Sequence, residues 1–145
     1  MTKLSYLEAI QNAQDLALNH FSNAFILGED VGKKGGVFGT TKGLQSKYGD
    51  ERVIDTPLAE SNIIGTAIGA AMLGKRPIAE IQFADFILPA TNQIISEAAK
   101  MRYRSNNDWN CPLTIRAPFG GGVHGGLYHS QSVCLLYTSD AADEE

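Results

Sequence analysis

Arg52-Val53-Ile54-Asp55-Thr56-Pro57-Leu58-Ala59-Glu60-Ser61-Asn62-Ile63-Ile64-Gly65-Thr66-Ala67-Ile68-Gly69-Ala70-Ala71-Met72-Leu73-Gly74-Lys75-Arg76-Pro77-Ile78-Ala79-Glu80-Ile81-Gln82 reads as strand, helix, strand, and the fold class turns on it. Arg52–Asp55 is a short strand that stops at Thr56-Pro57. Thr56 resembles an N-cap with proline in the first turn, and the helix runs from about Pro57 or Glu60 to Leu73. Gly74 ends it, and residues 77–82 give the next strand. Outward from this unit the alternation continues. Leu4, Leu7, Ile10, Ala13, Ala17 and Leu18 recur at helical spacing over residues 4–19. Ala24-Phe25-Ile26-Leu27 is a buried strand leading into Gly28-Glu29-Asp30 and a loop carrying Gly35, Gly36 and Gly39. A short helix is predicted near Lys42–Tyr48, a long one over residues 86–104, and a strand over Pro112–Ala117. The expected fold is α/β, a mainly parallel sheet flanked by helices, with ligands beyond the carboxyl ends of the strands. The loops that matter are then 28–40, 55–60, 82–86 and 117–132.

Composition narrows the function classes. The chain has 145 residues, 43% hydrophobic and 19% charged, which suits one soluble globular domain. A formal charge of −4 leaves no basic surplus for a phosphate backbone, so nucleic acid is not the expected partner. The longest nearly apolar stretch, Ile63–Leu73, falls well short of the about 20 residues that cross a membrane. Met1–Tyr6 leads into an amphipathic pattern without the apolar core of a secretory signal, and Cys111 and Cys134 make no disulfide framework; a cytoplasmic protein is expected.

Several motifs fail on their chemistry. Gly69–Arg76 nearly spells a phosphate-binding loop, but Arg76 stands where Ser or Thr must hold magnesium; it reads instead as a helix end capped by Gly74. No G-x-G-x-x-G occurs. His124, His129, Cys111 and Cys134 lack the spacing of zinc ligands, and Ser130 beside His129 lacks a nucleophile elbow. Glu60 is more informative. A carboxylate in the first turn of an apolar helix is expected to be partly buried, where a raised pKa suits proton transfer; equally, the helix macrodipole favours a negative charge there. Ser61, Gly65 and Gly69 form a small-residue stripe on which another backbone could lie closely, or which merely permits packing.

Four motifs in order carry a family resemblance: Asp55-Thr56-Pro57-Leu58-Ala59-Glu60, the spacing Glu60-x4-Gly65-x3-Gly69, Glu80-Ile81-Gln82-Phe83-Ala84-Asp85, and Leu127-Tyr128-His129-Ser130-Gln131-Ser132. Together they resemble the beta subunit of thiamine-diphosphate-dependent 2-oxo acid dehydrogenases over about Leu4–Val133. Ile81–Asp85 and Tyr128–Gln131 favour the bacterial branched-chain type. The resemblance implies a transketolase-like pyrimidine-binding domain in which Glu60 bonds N1′ of the cofactor's aminopyrimidine. Leu58, Gln82 and Phe86 match positions bordering that ring, with Phe86 where relatives often carry Tyr. His129 matches a loop histidine on the substrate and lipoyl side, with a proton-transfer or orienting role. Leu113 and Thr114 fall where backbone carbonyls help hold potassium. The implied reaction is oxidative decarboxylation of a 2-oxo acid, with the acyl group passed to a lipoyl-bearing acyltransferase.

The family's Gly-Asp-Gly diphosphate and magnesium motif does not occur in the chain. The resemblance therefore implies an alpha subunit holding magnesium, in an α2β2 assembly with the cofactor between chains. Relatives continue past Ser132-Val133, whereas residues 134–145 resemble no continuation. The expectation is a truncated pyrimidine-binding domain, residues 1–133, followed by a non-native or disordered tail, residues 134–145. Two rivals stand beside the branched-chain enzyme: a pyruvate or acetoin dehydrogenase beta subunit, and a noncatalytic fragment that only pairs with another subunit.

Overall fold

The computed structural model describes residues 3–133; the boundary expected at 133 and the tail expected beyond it lie outside that range. Four parallel strands, β1 (Ala24–Gly28), β2 (Val53–Asp55), β3 (Arg76–Glu80) and β4 (Thr114–Arg116), pair in the order β2-β1-β3-β4. β1 is flanked on both sides, with Ile26 opposite Val53 and Ile78, and Gly28 opposite Asp55 and Glu80. Helices cover both faces, which is why Ala24–Leu27 is continuously apolar instead of alternating. On one face α1 (Tyr6–His20) and α2 (Leu44–Tyr48) meet the sheet, where Leu18, Ile26, Val31, Leu44 and Val53 form one core. On the other, α3 (Glu60–Met72) and the tract 84–104 enclose Leu27, Ile63, Ile64, Ala67, Ala79 and Ile81.

Local sequence explains most element ends. Ser5 and Glu8 make a reciprocal capping box at the start of α1. α3 closes on Gly74, at φ +81°, with Gly74 N–H donating to Ala71 O and Lys75 N–H to Ala70 O. That is the paired bonding of a left-handed C-terminal cap, the reason glycine suits this position. Gly28 has a different cause: a Cβ there would lie 2.6 Å from the Glu80 carbonyl oxygen.

Two expectations are corrected. Thr56 is not the N-cap of α3; that position belongs to Ala59, and Thr56 N–H instead donates to Gly28 O at 3.0 Å, extending the β1–β2 pairing. Pro57 and Leu58 therefore form a connector outside the helix. The helix expected over 86–104 is a broken tract: 3-10 turns over Ala84–Ala90, a π segment over Gln93–Glu97, another 3-10 turn over Ala98–Lys100, and α4 (Met101–Arg104). Pro89 lies inside the first piece and has no N–H to give to an α-helical ladder.

One charged pair is built into the sheet. Glu80, only 2% exposed, meets Arg116 across the carboxyl ends of β3 and β4, and Thr40 Oγ1 lies within bonding distance of both. The charges satisfy each other where neither could be buried alone. No helix among the described residues is long and apolar enough to cross a membrane.

Candidate active site

The strand order fixes where a ligand crevice can form. The chain leaves β1 to one side to make β2 and returns to the other side to make β3, so the carboxyl ends of β1 and β3 part at a topological switch point. Glu29 and Asp30 follow β1 there, Gln82 lies just beyond β3, and Glu60 opens α3 after β2. Asp55, at the end of β2, ties down the intervening loop: its carboxylate accepts from Gly32 N–H at 2.6 Å and Lys33 N–H at 3.3 Å.

Glu60 is half-buried in the first turn of α3, as the apolar helix sequence suggested. Its neighbour Glu29 was not singled out by sequence. The Glu29 carboxyl is held above the usual carboxylate range, first by burial and then by the nearby charges of Asp30 and Glu60. The crowding disfavours ionisation of Glu29, a setting suited to groups that handle a proton.

Gln82 reaches across the same crevice. Its Nε2 donates to Asp30 Oδ2 at 3.1 Å, and Lys34 Nζ donates to the same oxygen at 2.6 Å. Asp30 adopts φ +59°, a left-handed conformation that aspartate tolerates better than most residues. Beyond Gln82, His129 sits half-buried among aromatic rings: Phe83 at 4.8 Å and Phe86 at 5.2 Å between centroids, both nearly perpendicular to the imidazole. Phe38 extends the cluster edge-on to Phe83 at 5.8 Å. Gln131 N–H donates to Asp85 Oδ1 at 3.3 Å, fastening the histidine loop to the segment after β3.

The structure thus gathers Glu60 and Gln82 around the switch point, while Phe86 and His129 meet each other and Phe83 in one aromatic cluster. Leu58 stands on the Pro57–Ala59 connector, 69% exposed. Leu113 and Thr114 are not part of this gathering: they lie at the amino end of β4, the opposite edge of the sheet. Asp30, Glu29 and Phe83 were missed. Two carboxylates directly after a buried strand were a usable signal, but their partners lie far away in sequence. A cavity of about 490 Å³ between α1 and loop 117–129 borders Phe83 and His129 but is not lined by Glu60, Gln82 or Phe86. The acid and amide groups gather in the crevice, so the site is placed there.

An aminopyrimidine fits these residues. The carboxyl pair can share a proton with a ring nitrogen, the Gln82 amide offers a polar contact, and Phe86 offers an apolar wall. Thr56 Oγ1 and Asp85 Oδ2 are buried without a hydrogen-bond partner among the described residues, leaving polar capacity beside the crevice. No group of three or more His, Cys, Asp or Glu side chains converges as a metal site among the described residues.

Residues 2–139 match the family described as transketolase, pyrimidine binding domain, and the chain belongs to that family. Among individual relatives, it is 64% identical to the 2-oxoisovalerate dehydrogenase subunit beta of Bacillus subtilis (strain 168), over 96% of this chain and 42% of that protein. The subunit of the same name from Pseudomonas aeruginosa is 49% identical, over 95% and 39%. The pyruvate dehydrogenase E1 component subunit beta of B. subtilis is 46% identical, over 92% and 41%. The chain therefore spans about two fifths of the length of these relatives.

Proposed function

We propose that this chain supplies the pyrimidine-binding half of a thiamine-diphosphate site in a cytoplasmic 2-oxo acid dehydrogenase of the branched-chain type. The observation that carries this reading is the carboxyl pair, Glu60 and Glu29, at the switch point of a chain belonging to the pyrimidine-binding family. When bound, thiamine diphosphate supplies an electron sink for decarboxylating a 2-oxo acid. Glu60 holds and returns a proton at the pyrimidine N1′, and the adjacent Glu29 carboxyl disfavours a further negative charge beside it. Leu58 and Phe86 border the ring, Gln82 bonds its polar edge, and His129 orients or transfers a proton on the substrate and lipoyl side.

Phe83 and Phe86 support the last role. They fix the imidazole plane by edge-on contacts where no ring nitrogen of His129 makes a hydrogen bond among the described residues. The diphosphate and magnesium fall to an alpha subunit, in an α2β2 assembly that passes the acyl group to a lipoyl-bearing acyltransferase. Leu113 and Thr114 carbonyls help hold potassium at the far edge of the sheet. The higher identity to the branched-chain subunit of B. subtilis, 64% against 46% for its pyruvate counterpart, favours a branched substrate. Turnover of branched 2-oxo acids against pyruvate by the assembled enzyme separates these two.

The central test is titration of thiamine diphosphate into a full-length beta chain with and without its alpha partner. Binding that needs the partner and weakens at least about tenfold in Glu60→Ala, the scale of a lost charge-assisted hydrogen bond, supports the reading. Binding indifferent to Glu60 favours a subunit that only pairs.

A further inference from the structure

We propose that Asp30 is a positioning residue for Gln82: it sets which end of the Gln82 amide the cofactor meets. The inference rests on the site reading above and goes further, because it concerns a residue to which no role has been given.

A glutamine amide has two nearly equal orientations, one offering a carbonyl acceptor and the other an amino donor at the same place. An ionised carboxylate accepts hydrogen bonds and cannot donate them. Gln82 must therefore turn its Nε2 toward Asp30 Oδ2, where the contact is 3.1 Å. Its Oε1 is left as the free end and accepts no hydrogen bond among the described residues. Lys34 Nζ donates to the same Asp30 oxygen at 2.6 Å, so that oxygen already serves as an acceptor. The backbone adds to this, since Asp30 O accepts from Gly36 N–H at 2.8 Å and fixes the left-handed turn that carries the carboxylate.

Gln82 consequently presents an acceptor to the crevice. An acceptor suits the amino substituent of an aminopyrimidine and rejects a ring carrying an oxo group there, which would set two lone pairs against each other. Asp30 acts only through Gln82.

The test uses the full-length beta chain assembled with its alpha partner, and calorimetric affinities for thiamine diphosphate and for its 4′-oxo analogue. The readout is the ratio of the two, which cancels any general loss of folded protein. Asp30→Leu frees the amide to turn and is expected to lower the preference for the amino form by about five- to tenfold, the scale of one neutral hydrogen bond. Asp30→Asn is expected to keep the preference within about twofold, because Lys34 still draws the carboxamide oxygen to the place from which it accepts from Gln82. A wild-type preference in Asp30→Leu, or a loss in Asp30→Asn as large as in Asp30→Leu, overturns the proposal; the second outcome would mean that charge alone matters. If the unaltered assembly binds thiamine diphosphate and Glu60→Ala does not, the site reading stands whatever Asp30 does. If the unaltered assembly fails to bind, both fall.

Discussion

Glu29 sits where three carboxyl groups crowd one end of the sheet, and its own pKa records the cost. The folded-state value is raised above the ordinary 4.5 by burial, then by Asp30 and Glu60. A raised value means that the stability tied to this group is fully present below the unfolded pKa and is lost as pH rises through the folded one. Glu29→Gln removes the charge and should make the protein more resistant to urea than the wild type at pH 7. That advantage should vanish near pH 4; an equal gain at both values would show that the carboxylate's charge is not the cause. Little of this was legible at the level of residues. Glu60 was singled out because a lone carboxylate heading an apolar helix is conspicuous, whereas Glu29 and Asp30 looked like ordinary loop charges until β3 and α3 were brought beside them.

Among the elements, α1 shows how fully a helix start can be written locally. Glu8 N–H donates to Ser5 Oγ at 3.3 Å, and Ser5 N–H donates to Glu8 Oε2 at 2.7 Å. These bonds hold the Glu8 carboxyl below its ordinary value, the Ser5 backbone contributing most and its hydroxyl next. Stability from this group is therefore present above the unfolded pKa and is lost as pH falls through the lowered one. Ser5→Ala should cost about 1 kcal/mol in chemical denaturation at neutral pH, the usual worth of an N-cap side chain. A change indistinguishable from zero would mean that tertiary packing alone secures the helix. The tract 84–104 shows the opposite case. Its periodicity announced a helix, but Pro89 lies inside it and the tract is broken into 3-10 and π pieces that a periodic pattern does not distinguish.

For the whole molecule, the small-residue stripe of α3 is the face on which the proposed alpha subunit would lie. Gly65 is exposed, and a Cβ on it would meet only Gln93 Cγ, at 3.9 Å; one on Gly69 would meet nothing within 4 Å. Gly65→Leu should therefore fold at least as well as the wild type, since leucine favours a helix over glycine by up to about 1 kcal/mol. It should nonetheless weaken association with the alpha subunit in analytical ultracentrifugation. Undiminished association would remove the stripe from the interface.

The sequence by itself determined the alternation of strand and helix, the apolar runs that must be covered on both faces, the glycine that ends α3, and the family motifs that pointed to Glu60. All of these depend on neighbours within a few positions, so they can be read along a line. Only the tertiary structure decided the strand order, and with it the switch point that sets Glu29, Asp30, Glu60 and Gln82 around one crevice. Gln82 and Asp30, 52 residues apart, meet because parallel pairing aligns the carboxyl ends of β1 and β3. No spacing in the chain encodes that meeting; it arises from burying two faces of one sheet at once.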